Sequence, residues 1–152
     1  MTKSMKTTTT TNRYRKSAKT KVMDILARRP HSEKEIRQKM RLFYRAAEIE
    51  EAIQFAIENG WMSEPQEMSK RMTEELHRKK KGIRYINNYL KQKGLPSVNT
   101  DSDIELEKAR ELIRTKLAKS APYNIEEKMK IQRWLTYRGY EEETIRKVMH
   151  EK

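Results

Sequence analysis

One spacing recurs along the 152-residue chain: Ile36-x3-Met40, Ile86-x3-Leu90 and Ile131-x3-Leu135. It returns after 50 residues and again after 45. Apolar residues three to four apart line one face of a helix, and a period of roughly 20–50 residues is the mark of a repeated module. The last two copies also continue alike, as Lys91-Gln92-Lys93-Gly94-Leu95 and Thr136-Tyr137-Arg138-Gly139-Tyr140. The helices predicted here run roughly 10–16 residues, a length marginal in water without packing on neighbours. A chain built this way folds as modules of short helices, each too small to close a core alone.

The rest of the pattern agrees. Ala18, Val22, Ile25 and Leu26 form a first stripe, ended by Arg28-Arg29-Pro30. Ser32-Glu33-Lys34-Glu35 has capping-box spacing and opens a helix with Ile36, Met40 and Phe43 expected inward. Ile49, Ala52, Ile53, Ala56 and Ile57 share the next face, which Asn59-Gly60 ends. Ser63-Glu64-Pro65-Gln66 precedes the stripe Met68, Met72, Leu76. Gly82 breaks that helix, and Ile83, Ile86 and Leu90 carry the following one to Gly94-Leu95-Pro96. Ser102-Asp103-Ile104-Glu105 is a further capping-box pattern ahead of Leu106, Ala109, Ile113 and Leu117. Asn124 to Glu127 caps a helix with Ile131, Trp134 and Leu135, and Ile145, Val148 and Met149 mark the last. No alternating run of strand type occurs. The fold class is all-α.

Charge is distributed unevenly. The net formal charge is +13, with 35 Lys and Arg against 22 Asp and Glu. Residues 1–21 hold +7 and no acid, 45–67 hold −5, and 68–100 hold +7. The Thr- and Lys-rich start cannot bury enough apolar surface to offset ordering entropy, so residues 1–17 are expected to be a disordered basic tail. In 68–100, nine cations face only Glu74 and Glu75: Lys70, Arg71, Arg78, Lys79, Lys80, Lys81, Arg84, Lys91 and Lys93. Together with Arg133 and Arg138, each beside an aromatic residue, they are the candidate contacts for phosphate or an acidic protein surface.

An enzyme is not indicated. There is no Cys, so disulfides, thiolate metal sites and cysteine nucleophiles are excluded. His31, His77 and His150 fit no metal-ligand spacing, and His31 and His77 are read as surface residues. No nucleotide-cradling glycine motif is present. Acids at helix starts, such as Glu141 to Glu143, are explained by the helix dipole. Trp61, Trp134, Tyr89 and Tyr140 are read first as module core. No cofactor or metal is expected, and no apolar run reaches the ~20 residues of a membrane span. A cytoplasmic location follows as the expectation.

Four stretches together resemble the RecX family, regulators of the RecA recombinase. Leu26-Ala27-Arg28-Arg29-Pro30-His31-Ser32-Glu33-Lys34-Glu35-Ile36 is similar to the opening of that family's first module. Asn59-Gly60-Trp61-Met62-Ser63-Glu64 resembles its Gly, aromatic, aliphatic, acidic junction, keeping one carboxylate of two. Lys81-Gly82-Ile83-Arg84 through Leu95 resembles the centre of the second module, and Trp134 through Val148 the close of the third. The family's glycine before the aromatic at the end of the second helix is missing at Phe43-Tyr44-Arg45. Only Pro96 to Thr100 stand where the second module's third helix would lie.

The resemblance implies tandem three-helix modules in a curved, elongated array: 18–62, a truncated 63–100, and 101–152, with about eight helices. It implies a monomer that lodges in the groove of a RecA filament on DNA and inhibits strand exchange, ATP turnover and coprotease activity, with no active site of its own. The alternative is a direct DNA-binding protein using the tail and the 70–93 cluster. Ser32 to Ile57 could pass for a helix-turn-helix, but its second helix is the most acidic segment of the chain and fits a polyanion's groove poorly.

Overall fold

The computed structural model describes residues 15–152. The expected disordered tail therefore lies, up to residue 14, outside the described residues. Eight helices and no strand occur among the described residues: α1 Ala18–Arg28, α2 Glu33–Met40, α3 Ala46–Glu58, α4 Pro65–Arg78, α5 Ile83–Gln92, α6 Ser102–Leu117, α7 Ile125–Tyr137 and α8 Glu142–Met149. None is long and apolar enough to cross a membrane. The chain divides into two compact units, one ending at Glu64 and one spanning Pro65–Lys152.

In the first unit α1 packs against α3, and α2 closes the core. Val22, Ile36, Met40, Ile49, Ala52, Ile53 and Ala56 are buried there. The α2 start is the expected capping box: Ser32 Oγ accepts from Glu35 N and the Glu35 carboxylate accepts from Ser32 N. Ser17, expected in the tail, instead caps α1, its hydroxyl accepting from Thr20 N. Phe43 does not turn inward. It is 61% exposed, because α2 ends at Met40 and Tyr44 takes the inward place. The amides of Phe43 and Tyr44 both bond Met40 O, a tight turn that needs no left-handed residue. Tyr44 then donates its hydroxyl to Lys16 O at 2.7 Å. Of Asn59-Gly60, only Gly60 is left-handed, with φ +73°. Trp61 is exposed rather than core and meets Phe55 edge-on at 5.2 Å.

His31 is not a surface residue: it is 2% exposed. Its Nδ1 lies 2.9 Å from Arg29 O, and a carbonyl only accepts, so Nδ1 carries the proton. Nε2 is then free to accept from the Lys39 ammonium at 2.8 Å. Burial lowers the imidazole pKa, opposed in part by that carbonyl.

The second unit is organised around α6. Ala109 and Ile113 pack with Ile131, Leu135, Tyr140, Ile145 and Val148 of α7, α8 and the turn between them. The α6 start departs from expectation: Asp101, not Ser102, is the cap, and Glu105 is buried. Glu105 accepts from Ile83 N at 2.6 Å, satisfying an otherwise orphaned amide at the start of α5. Lys108, 5% exposed, makes an ion pair with Glu105 at 2.5 Å. The same ammonium donates to Lys81 O at 2.6 Å and to His77 Nδ1 at 2.7 Å. His77, expected at the surface, is thus half-buried and accepts, so it is neutral. Burial, and then the Lys108 charge, lower its pKa.

The segment joining α4 to α5 is held on its other side by α7 and the turn that follows. Tyr140 donates to Lys80 O at 2.7 Å, and Arg138 donates to the carbonyls of Lys79 and Lys80. Lys80 is left-handed, with φ +61°. Gly82 N bonds Arg138 O and Arg84 N bonds Gly139 O, both at 2.9 Å. A Cβ on Gly82 would lie 2.4 Å from the Gly139 backbone, and one on Gly139 would lie 2.4 Å from Tyr85. The helix therefore ends where the chain must approach another backbone, and only glycines permit that approach.

Three outcomes follow. Gly82→Ala, at a φ any residue adopts, lowers stability by about 2 kcal/mol through overpacking. Gly60→Ala, with open space around its Cβ site, costs about 1 kcal/mol from its left-handed φ alone. Chemical denaturation ranks the two, and a larger loss at Gly60 contradicts the close approach. Lys108→Met strands the Glu105 carboxylate and costs about 3 kcal/mol, of which Lys108→Met with Glu105→Gln recovers a large part. Equal losses for the single and double variants would refute the pair. The unfolded imidazoles of His31 and His77 take up protons at about pH 6.5, whereas the folded ones need lower pH. The unfolded state thus binds more protons, so stability is full above about pH 6.5 and falls as pH drops below it. His77→Gln, which keeps an acceptor for Lys108, flattens part of the slope of denaturation midpoint against pH.

Candidate partner-binding cleft

The inward residues of α5 are Ile83, Ile86 and Leu90; the opposite face at 84, 88 and 91 is left to solvent. That face is one wall of an open cleft of about 1350 Å³. The segment 94–100 is the second wall, and Thr136, Tyr137, Gly139 and Glu141 form the third. The second wall is held from behind. Asn87 exchanges two hydrogen bonds with the Val98 backbone, at 2.8 and 3.0 Å, as a strand partner would. Ser69 Oγ donates to Pro96 O at 2.8 Å. With both amide groups of Asn87 and the Ser69 hydroxyl committed, the wall is preformed, and Ser97 and Asn99 remain exposed on it.

The candidate cations separate into four groups. Arg84 and Lys91 line the cleft. Arg133 lies on α7 with Met129, Gln132, Thr136 and Tyr137 around a smaller hollow of about 490 Å³. Lys70, Arg71 and Arg78 are exposed on α4 and do not line the cleft. The others are engaged within the fold. Lys79 pairs with Glu75 at 3.4 Å and Lys80 with Glu111 at 2.5 Å, which lowers the Glu111 pKa. Lys81 lies 4.6 Å from the Tyr85 ring centre, and burial, with Arg138 and Lys79 nearby, lowers its pKa. Lys93 lies 5.5 Å from the Tyr89 ring centre. Arg138 is spent on the Lys79 and Lys80 carbonyls.

Sequence reasoning read Glu105 as the acid of a Ser102 capping box and passed over Lys108, yet the two set the position of α5. One signal was available: 105, 108, 109, 112 and 113 share the inward face of α6, so a charged pair sits where apolar residues belong. The cleft wall at 97–100 left no signal, because Asn87 and Val98 are matched only by folding.

The sequence of residues 103–149 matches the third three-helix domain of RecX, and residues 18–55 match the first. Regulatory protein RecX of Cronobacter sakazakii is 31% identical over 154 residues, covering 88% of this chain and 93% of the relative. That of Serratia proteamaculans is 27% identical over 157 residues, covering 84% and 93%. The crystal structure of RecX from Lactobacillus salivarius superposes with a TM-score of 0.72 at 17% identity, covering 87% of this chain and 92% of that one. A second crystal structure, of a regulatory protein RecX, gives 0.67 at 16% identity, covering 88% and 72%. The order of short capped helices, the two matched three-helix domains and the near full-length relatives have one consistent explanation: the chain belongs to the RecX family of regulatory proteins.

Proposed function

We propose that this protein binds filaments of the RecA recombinase on DNA and restrains them, lowering strand exchange, ATP turnover and coprotease activity. It thereby regulates recombination and repair. The observation that carries the reading is the correspondence with regulatory RecX proteins along 88% of the chain. The architecture agrees with such a role. The cleft is open along α5, with cations, amides and aromatics on its walls, a lining suited to a polymer surface rather than an enclosed small substrate. The protein acts by occupancy, with no chemical step of its own and no cofactor, as a cytoplasmic monomer. Arg84, Lys91 and Arg133 meet the partner, while Lys79 to Lys81 and Arg138 hold the fold that presents them.

A second reading, direct binding of DNA, is favoured by Lys70, Arg71 and Arg78. These make no ion pair among the described residues and are free to meet phosphates. In the favoured reading they assist a filament contact; in the second they are the contact.

The test is DNA-stimulated ATP hydrolysis by RecA with this protein titrated in, alongside its binding to the same DNA without recombinase. Hydrolysis is expected to fall severalfold before the protein reaches one copy per recombinase monomer. Unaffected hydrolysis at stoichiometric protein, with bare DNA bound tightly, would replace the first reading by the second.

A further inference from the structure

The third helical frame ends on a surface that the fold leaves uncovered. Ile125, Met129, Arg133 and Tyr137 follow one another at every fourth residue of α7, a line of about 18 Å. Ile125 is 79% exposed, Met129 61% and Tyr137 89%. Thr136 and Tyr137 line both the hollow on α7 and the cleft beside α5, so the two are one continuous surface. Leu42 stands two residues after Met40, as Tyr137 stands two after Leu135, and is also bare to solvent. A bulky exposed side chain thus recurs at one frame position in two modules.

We infer that the outer face of α7 and the adjoining cleft form one docking surface for a polypeptide segment that carries apolar residues next to carboxylates. The inference rests on the recombinase reading and names the kind of segment the filament would present. Charge supports this occupant. Several other cations of the unit are matched, Lys80 by Glu111, Arg110 by Glu151, Lys119 by Glu127 and Lys147 by Glu143, and the unpaired Lys70, Arg71 and Arg78 lie on α4, outside the cleft. Arg84, Lys91 and Arg133, bordering the surface, make no ion pair among the described residues. Of the acids, Glu141 lines the cleft, none lines the hollow on α7, and Glu126 follows Ile125 in the first turn of the helix. A partner's carboxylates find three unpaired cations there, and its apolar side chains find Ile125 and Met129.

The same aliphatic pair argues against nucleic acid. Ile125 and Met129 offer neither a charge for phosphate nor a flat ring for a base, and would strip water from a phosphate without replacing it. The 94–100 wall, fixed by Asn87 and Ser69, is ready before the segment arrives, so little ordering opposes binding.

The experiment uses the full chain, Ile125→Asp with Met129→Asp, and Arg84→Glu with Lys91→Glu. Each is sedimented with RecA filaments assembled on oligo-dT with a non-hydrolysable ATP analogue. Each is also titrated by fluorescence anisotropy against labelled oligo-dT alone. All these side chains are exposed, so helical circular dichroism and melting should match the wild type; Tyr137→Ser serves if either pair misfolds. Filament affinity is expected to drop about tenfold in both variants. Oligo-dT affinity of the aspartate variant should change by less than about twofold. Wild-type filament affinity in the aspartate variant overturns the inference, as does an equal loss toward oligo-dT, which would make the face a nucleic-acid surface. A wild-type protein that leaves RecA untouched refutes the functional reading itself, whereas one that restrains RecA equally well with both variants refutes only the docking surface.

Discussion

A lysine ammonium withdrawn from water is tolerable only where other groups replace its hydration, and the second unit is arranged around one such group. Lys108 reaches from α6 to Glu105, His77 and the Lys81 carbonyl. Glu105 in turn accepts the first amide of α5. One buried charge pair therefore ties the end of α4, the connecting segment and the start of α5 to the third helical group. A wholly apolar joint could have bonded them as strongly. It could not have set the direction of α5 by a bond to its N-terminus, and that direction determines where Arg84 and Lys91 stand.

The turn after α7 repeats a device seen after α2. Tyr140 donates to Lys80 O, and Tyr44 donates to Lys16 O, each at 2.7 Å. In both cases an inward tyrosine at the end of a module's second helix grips the backbone of another segment. Gly139, with φ +90°, gives the later turn the space to receive α5. The earlier turn has no glycine and is one residue shorter, yet Tyr44 still reaches the core. The loss of that residue leaves Phe43 outside, a consequence of turn length rather than of hydrophobicity. Arg15 supports the same turn through a hydrogen bond to Phe43 O and a place over the Tyr44 ring.

Basic character has two uses in this chain. Lys80 neutralises Glu111, Arg138 caps the Lys79 and Lys80 carbonyls, Lys81 lies over the Tyr85 ring and Lys79 makes an exposed pair with Glu75, while Arg84, Lys91 and Arg133 make no ion pair among the described residues. Adjacent cations in the sequence thus differ in availability, and the net charge of the 68–100 segment overstates what a partner meets.

How much could be read before folding follows from the range of each interaction. Most helix positions, the Ser32 and Asn124 caps and the all-α class rest on residues within about four places of one another and survived, whereas the family resemblance rests on the order and spacing of four such stretches. Phe43, Trp61, His31, His77 and Glu105 were misjudged because their surroundings come from residues 6 to 31 places away or from the length of a turn. The sequence by itself determined short amphipathic helices in repeated frames, since local periodicity and capping are local chemistry. Only the tertiary structure decided which cations are free, which glycines are contacts and which charges are buried. Those depend on the close approach of backbones remote in the chain, where a hydrogen bond or a missing Cβ is worth more than any propensity.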